Sequence, residues 1–244
     1  MSSPLKAVFF DFGGTLFSYR TIAVQSIQLI TEASRKIGVE VETCEAALAY
    51  HRATKDVMAE LMQRPYFLHK ELFISSFKRF AELLGGEATP ELEPWFYEGQ
   101  RRALVDSYEL RADCLSSLQQ LRDKQLHLAI VSNIDEDFLH PMLEREGLKQ
   151  IFHSWTSSEE ARSCKPAPEI YQMALDKAQC QAEEVLFVGD SPEQDIAGAR
   201  ALGMITALIR DGDAAPPGAG ALDASTPHYV IDELSELQAI VDDH

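Results

Sequence analysis

Hydrophobic positions along this chain follow two rhythms. Ala7-Val8-Phe9-Phe10 is apolar at every step and ends on a carboxylate, Asp11. A run with no polar face has no solvent side, which is the habit of a strand in a parallel sheet covered by helices on both faces. From about 21 to 107 the rhythm becomes helical. Ile27, Ile30, Ala33 and Ile37 recur at helical spacing, and Gly38 follows as a stop. Thr43 is placed to cap a second helix that runs through Tyr50 to Leu61. A third helix is expected over 68–84, before Gly85-Gly86, and a fourth from about 90 to 107. With no strand-like run inside it, the stretch 21–107 reads as a separate helical domain.

Beyond it, strands and helices alternate. Asp113 is expected to cap a helix carrying Leu115, Leu118 and Leu121 on one stripe. Strands are expected over 126–131, 152–156, 185–188, 204–209 and 229–231. Helices are expected over 135–146 (closed by Gly147), 168–178 and 192–202 (stopped by Gly203), with a last one in the tail. The segment 211–227 is rich in Gly, Pro, Ala and Asp and reads as a loop. Such alternation predicts an α/β core, a doubly wound parallel sheet built from 1–20 and 108–244.

Sheets of this kind bind ligands at the carboxyl ends of their strands. Asp11 follows the first strand, Ser132-Asn133 the second, and Gly189-Asp190 the run 185–188. A carboxylate beside an apolar strand is costly to bury unless something pairs with it. Two of them at neighbouring strand ends repel each other, and a divalent cation resolves both problems. One or two carboxylates, waters and a substrate phosphate are the usual surroundings of magnesium.

Composition narrows the ligand. The formal net charge is −17, which opposes nucleic acid and anionic membranes alike. A small anionic substrate then needs a local positive charge, from a metal or a buried Lys. Hydrophobic residues make up 45% of the chain, enough for a core that needs no metal or disulfide staple. Cys44, Cys114, Cys164 and Cys180 are scattered and form no CxxC pair, so they read as reduced thiols of a cytoplasmic protein. The first apolar run is too short for a signal peptide, and no stretch is long enough to span a bilayer.

Four segments carry a resemblance. Val8-Phe9-Phe10-Asp11-Phe12-Gly13-Gly14-Thr15-Leu16, Ala129-Ile130-Val131-Ser132-Asn133, Cys164-Lys165-Pro166-Ala167-Pro168 and Val188-Gly189-Asp190-Ser191-Pro192-Glu193-Gln194-Asp195 occur in that order. The third continues through Glu169-Ile170-Tyr171 and the fourth through Ile196-Ala197-Gly198-Ala199. They resemble the four motifs of the haloacid dehalogenase-like superfamily, whose core is Rossmann-like. The helical stretch resembles the cap that its first subfamily inserts after the first motif. The resemblance implies a Mg2+-dependent hydrolase, most simply a phosphatase acting on a small phosphorylated metabolite. It implies Asp11 as the nucleophile that becomes an aspartyl phosphate. Asp11, Asp190 and the Gly13 carbonyl would be metal ligands. Ser132, Asn133, Lys165 and Gly14 would surround the phosphate, with Ser132 and Lys165 assisting catalysis. Asp195 would orient Lys165 or a metal-bound water.

The match breaks at Gly13. Phosphatases of the superfamily usually carry there an Asp that acts as acid and base. A residue from the flap or cap, among Tyr19, Arg20, His51 and His69, is one replacement. Another is a reaction that needs no such acid, as in phosphonoacetaldehyde hydrolases, with Lys55 as the counterpart of their cap Lys. A third is a relative that binds a phosphorylated ligand with little turnover. The 2-haloacid dehalogenase branch ranks low, because Asp190 is present and Gly13 stands where that branch has Tyr. Pro94-Trp95-Phe96-Tyr97 reads as cap core rather than a stacking platform.

Overall fold

The computed structural model describes residues 4–18, 23–210 and 226–244. The chain divides into two compact units, Met1–Tyr19 with Glu109–His244, and Arg20–Tyr108. Tyr19, Arg20 and most of the expected 211–227 loop lie outside the described residues.

Among its described residues the second unit holds four helices, α1 (Ala23–Lys36), α2 (Thr43–Leu61), α3 (His69–Leu84) and α4 (Leu92–Ser107). Their core is aromatic. Phe77 and Phe96 stack with centroids 4.4 Å apart, and Tyr50 lies against Phe80 and Phe96 at 5.9 and 5.6 Å. The Tyr50 hydroxyl accepts from Gln100 Nε2 at 2.7 Å, which satisfies a polar group inside this core. Phe96 and Tyr97 are buried, as a core reading requires. Two local expectations fail. Thr43 is the first residue of α2 rather than its cap, and Glu42 takes the cap position. Ile27 is exposed, while Ile30, Ala33 and Ile37 are buried.

Among its described residues the first unit carries eight strands: β1 (Ala7–Phe10), β2 (Phe17–Ser18), β3 (Glu109–Leu110), β4 (His127–Ser132), β5 (Ser154–Ser157), β6 (Val185–Gly189), β7 (Ile205–Ile209) and β8 (Tyr229–Ile231). Six form a parallel sheet in the order β5-β4-β1-β6-β7-β8. The fold is therefore the doubly wound, Rossmann-like α/β class that the alternation predicts. β1 is apolar throughout because both of its faces are buried. Ala7 and Phe9 join Ala129, Val131, Val185, Phe187 and Tyr171 on one side. On the other, Phe10 meets Phe152 edge to face at 6.0 Å. β2 and β3 were not expected. They pair antiparallel, Phe17 with Leu110 and Ser18 with Glu109, and two residues are too few to show a period.

The helices of this unit are α5 (Cys114–Asp123), α6 (Glu136–Arg145), α7 (Ser158–Ala161), α8 (Pro168–Ala178), α9 (Gly198–Ala201) and α10 (Leu237–Asp242). The stripe of α5 is Cys114, Leu118 and Leu121, with Leu115 exposed. Successive helical residues are rotated by about 100°, which carries position 115 out of the face that 114, 118 and 121 share. Asp113 makes no side-chain cap, and its Oδ2 accepts instead from the Ser235 N–H at 2.9 Å. The expected helix over 192–202 is a π-helical turn, Pro192–Ala197, followed by α9. Among the described residues no helix is long and apolar enough to cross a membrane.

Candidate active site

The strand order reverses at β1, whose neighbours are β4 and β6. Three adjacent strand ends therefore present Asp11, Ser132 and Asp190 side by side. The Asp11 N–H donates to Val188 O at 2.9 Å, which ties the loop after β1 to β6. Ser132 Oγ donates to Asp11 Oδ1 at 2.8 Å, and Lys165 Nζ donates to the same oxygen at 2.6 Å. Lys165 Nζ also donates to Asp195 Oδ1 at 2.5 Å. Carboxylate oxygens of Asp11, Asp190 and Asp195 lie within 4.8 Å of one another.

The electrostatics follow from this crowding. The Lys165 side chain is 1% exposed. Burial opposes its charge most, but Asp11 and Asp195 together outweigh burial and hold the ammonium above the ordinary Lys range. Burial, then Asp11 and Asp195, push the half-buried Asp190 up to about 8 against the pull of Lys165. Asp195 is pushed up to about 6 by burial, opposed by Lys165 and reinforced by Asp11. Three carboxylates face one ammonium, so full ionisation leaves two negative charges in excess. That excess matches a divalent cation.

Local backbone explains why Asp195 points inward. In the π turn, the Asp195 and Ile196 N–H groups both donate to Ser191 O, at 2.9 and 3.2 Å. The Ser191 N–H in turn donates to Asp195 Oδ2 at 2.9 Å. π turns often mark functional sites, and this one buries an acid that a regular first helical turn would expose. Asp195 packs so closely on β6 that a Cβ on Gly189 would sit 2.3 Å from its Cβ and Cγ. Lys165 arrives from the segment before α8, and its bond to Pro166 is cis.

Gly13 and Gly14 occupy the tight loop after Asp11. Gly14 has φ 80, a conformation that a side chain would strain. Its N–H donates to Phe17 O at 2.7 Å and its carbonyl accepts from Arg111 Nη2 at 2.8 Å. Both backbone groups of Gly14 are thus engaged within the fold. Among the described residues Gly13 is not one of the left-handed glycines, and it bridges to Phe17.

The structure thus brings Asp11, Ser132, Lys165, Asp190 and Asp195 together. The Asn133 side chain is turned away from them, with both amide donors spent on Lys165 O and Gln194 Oε1. His51 and Lys55 are exposed on α2, and His69 lies between the Phe67 and Phe73 rings. Arg111, Tyr171 and Gln194 were missed. Arg111 holds the carbonyls of Gly14 and Arg210, and Tyr171 Oη donates to the Gln194 carbonyl. Tyr171 and Gln194 stand inside or beside the motifs, whereas nothing in the sequence connects Arg111 to Gly14.

Comparison with known proteins agrees with this geometry. The family model for haloacid dehalogenase-like hydrolases matches residues 5–203. The ribulose-1,5-bisphosphate 5-phosphatase of Halopiger xanaduensis is 27% identical over 238 residues, 96% of this chain and 98% of that protein. The glyceraldehyde 3-phosphate phosphatase of Methanopyrus kandleri is 28% identical over 243 residues, 97% of each. Among solved structures, YfnB of Bacillus subtilis bound to magnesium aligns with a TM-score of 0.77 at 20% identity, over 98% of this chain and 100% of that one.

Proposed function

The chain belongs to the haloacid dehalogenase-like hydrolase family, and from that premise we propose that it is a magnesium-dependent phosphatase of small phosphorylated metabolites. The observation that carries this reading is the setting of Asp11. One of its oxygens takes hydrogen bonds from Ser132 and Lys165, and two further carboxylates stand within 4.8 Å. The two phosphatases named above are matched over nearly their whole length, which supports the choice among hydrolytic reactions.

The residues fit magnesium. The donors are hard carboxylate oxygens, and a proton on Asp190 up to about 8 marks a pocket holding more negative charge than Lys165 neutralises. Asp11, Asp190 and the Gly13 carbonyl would hold the ion. Bound there, it would supply charge stabilisation for the phosphoryl oxygens.

The chain's own residues account for the rest. Ser132 and Lys165 fix Oδ1 of Asp11, which turns the other oxygen toward the substrate. That oxygen attacks phosphorus, the ester P–O bond breaks, and the leaving oxygen takes its proton from solvent. Water then attacks phosphorus of the aspartyl phosphate and restores the carboxylate. Lys165, held charged by two carboxylates, neutralises the phosphoryl group rather than giving up a proton. Gly13 offers no side-chain acid, so esters with stable leaving groups react best. The free thiols of Cys44, Cys114, Cys164 and Cys180 suit a cytoplasmic setting.

Gly13 also favours a second reading, a phosphate-ligand binder of low turnover. Phosphate release from an aryl phosphate tests both. Turnover with magnesium, its loss on chelation and its fall to background in Asp11→Asn are the expected results. Full activity in chelator, or substantial activity in the Asn variant, would overturn the proposal. Binding of phosphate without turnover would establish the second reading.

A further inference from the structure

Two polar residues stand in succession at the end of β4. Ser132 bonds the nucleophile directly. Asn133 instead grips the backbone of the residue that neutralises it. Its Oδ1 accepts from the Lys165 N–H at 2.7 Å, while its Nδ2 donates to the Lys165 carbonyl at 3.1 Å and to Gln194 Oε1 at 3.2 Å. One amide takes both main-chain groups of a single residue with its oxygen and one donor, and its second donor goes to Gln194.

Gln194 is held in turn. Its N–H donates to Ser191 Oγ at 3.2 Å and its carbonyl accepts from Tyr171 Oη. The Tyr171 ring meets Phe187 at 5.4 Å, and Lys165 Nζ lies 5.6 Å from the same Phe187 ring. Gly198 leaves the room this requires, since a Cβ there would stand 2.4 Å from Tyr171 Oη.

A lysine ammonium rides on a flexible four-carbon stem. Its position is only as well defined as the backbone from which the stem starts, and here it must bridge two acids at 2.6 and 2.5 Å. Reacting groups need support of this kind from residues behind them. We propose that Asn133 is a positioning residue: its side chain clamps the Lys165 backbone, and Gln194 fixes the amide's orientation, so that the ammonium stays between Asp11 and Asp195. The kinetic consequence rests on the phosphatase reading, but the clamp itself does not. An amide turned over would set donor against donor and acceptor against acceptor, so Asn133→Asp, which puts an oxygen opposite two acceptors, should be the worse isosteric change.

The test is a kinetic cycle of wild type, Asn133→Ala, Lys165→Met and the double variant, in the full chain with magnesium and an aryl phosphate. A misplacement of about 1 Å costs on the order of 10²-fold. Asn133→Ala should therefore lower kcat by about that factor, with KM nearly unchanged, and should cost little more once Lys165 is Met. A raised KM and weaker inhibition by inorganic phosphate in both backgrounds would overturn the proposal in favour of a phosphate contact. An equal loss of kcat in both backgrounds would overturn it in favour of a general structural role. Amide hydrogen exchange at Lys165 gives a readout independent of turnover. Exchange should quicken in Asn133→Ala, and in Asn133→Ser should the Ala variant fail to fold. Unchanged exchange sinks the clamp, whereas a wild-type protein without turnover sinks only the phosphatase reading.

Discussion

Replacing Gly189 by Ala asks whether the fit between β6 and the π turn holds the site together. The added Cβ would lie 2.3 Å from Asp195 Cβ and Cγ and 2.4 Å from its Oδ2. Non-bonded carbons settle at about 3.5–4.0 Å, so something must move by roughly an ångström. Asp195 is poorly able to yield. Lys165 Nζ holds its Oδ1 at 2.5 Å, the Ser191 N–H holds its Oδ2 at 2.9 Å, and its side chain is 1% exposed. Either these bonds lengthen or the strand end that carries Asp190 shifts. Overpacking alone costs about 1–3 kcal/mol, and opening a buried ion pair costs about 3–5 kcal/mol. We expect a loss of about 2–4 kcal/mol in urea denaturation, with a fall in kcat on the order of 10²-fold. The control is Gly189→Ala in an Asp195→Gly background, where the obstructing side chain is gone. There the substitution should add no more than about 0.5 kcal/mol, as for independent sites. Wild-type stability and activity in Gly189→Ala, or an equal cost in both backgrounds, would refute the steric reasoning.

Gly13→Asp should raise turnover of alkyl phosphates by up to ~10²-fold, because Gly13 is not among the left-handed glycines. A loss in a folded, magnesium-binding variant would count against a merely missing acid. Magnesium bound as proposed would displace the proton that Asp190 keeps up to about 8. Affinity measured by calorimetry should therefore climb about tenfold per pH unit toward that value and then level off. The same shift has a stability sign. The folded value lies above the unfolded 3.8, so the metal-free protein loses this contribution as pH rises from 3.8 toward about 8. Asp190→Asn should flatten the slope, most of all between about 6 and 8 where Asp195 no longer contributes, and an unchanged slope there would exclude Asp190 as its source. On the acid side, His228 Nδ1 accepts the Thr206 N–H at 3.0 Å, and burial lowers its value below 6.5. Its contribution is complete above 6.5 and is lost as pH falls below it, so His228→Gln should flatten the decline of Tm with acidification.

Much of the site was legible because its residues are local to strand ends. Asp11, Ser132 and Asp190 follow apolar runs, and runs buried on both faces announce themselves. What stayed hidden depends on partners distant in sequence. The π turn cannot be read from Pro192–Ala197, since its register is drawn inward by Asp195, whose partner Lys165 lies outside that segment. The sequence offers the Asn133 backbone N–H to a phosphate, and only the folded path of Lys165 shows where its side-chain amide goes. Leu115 outweighs Cys114 on any hydrophobic scale of side-chain size, but the helix face that meets the core belongs to Cys114. Arg111 reaches Gly14 across the whole helical unit, a contact no local pattern encodes.

The two-residue strands β2 and β3 bear on how such a protein can change. They pair Phe17 with Leu110 and Ser18 with Glu109, so the chain leaves the sheet unit and returns to it through adjacent positions. The sheet unit is stitched shut at its own border, and the Arg111 N–H bond to Leu16 O at 2.9 Å reinforces the seam. Whatever is spliced between these strands meets fixed, neighbouring ends. The entropy of closing a longer or shorter insert changes only with the logarithm of its length. On that arithmetic a change in the length of the insert costs the sheet unit little.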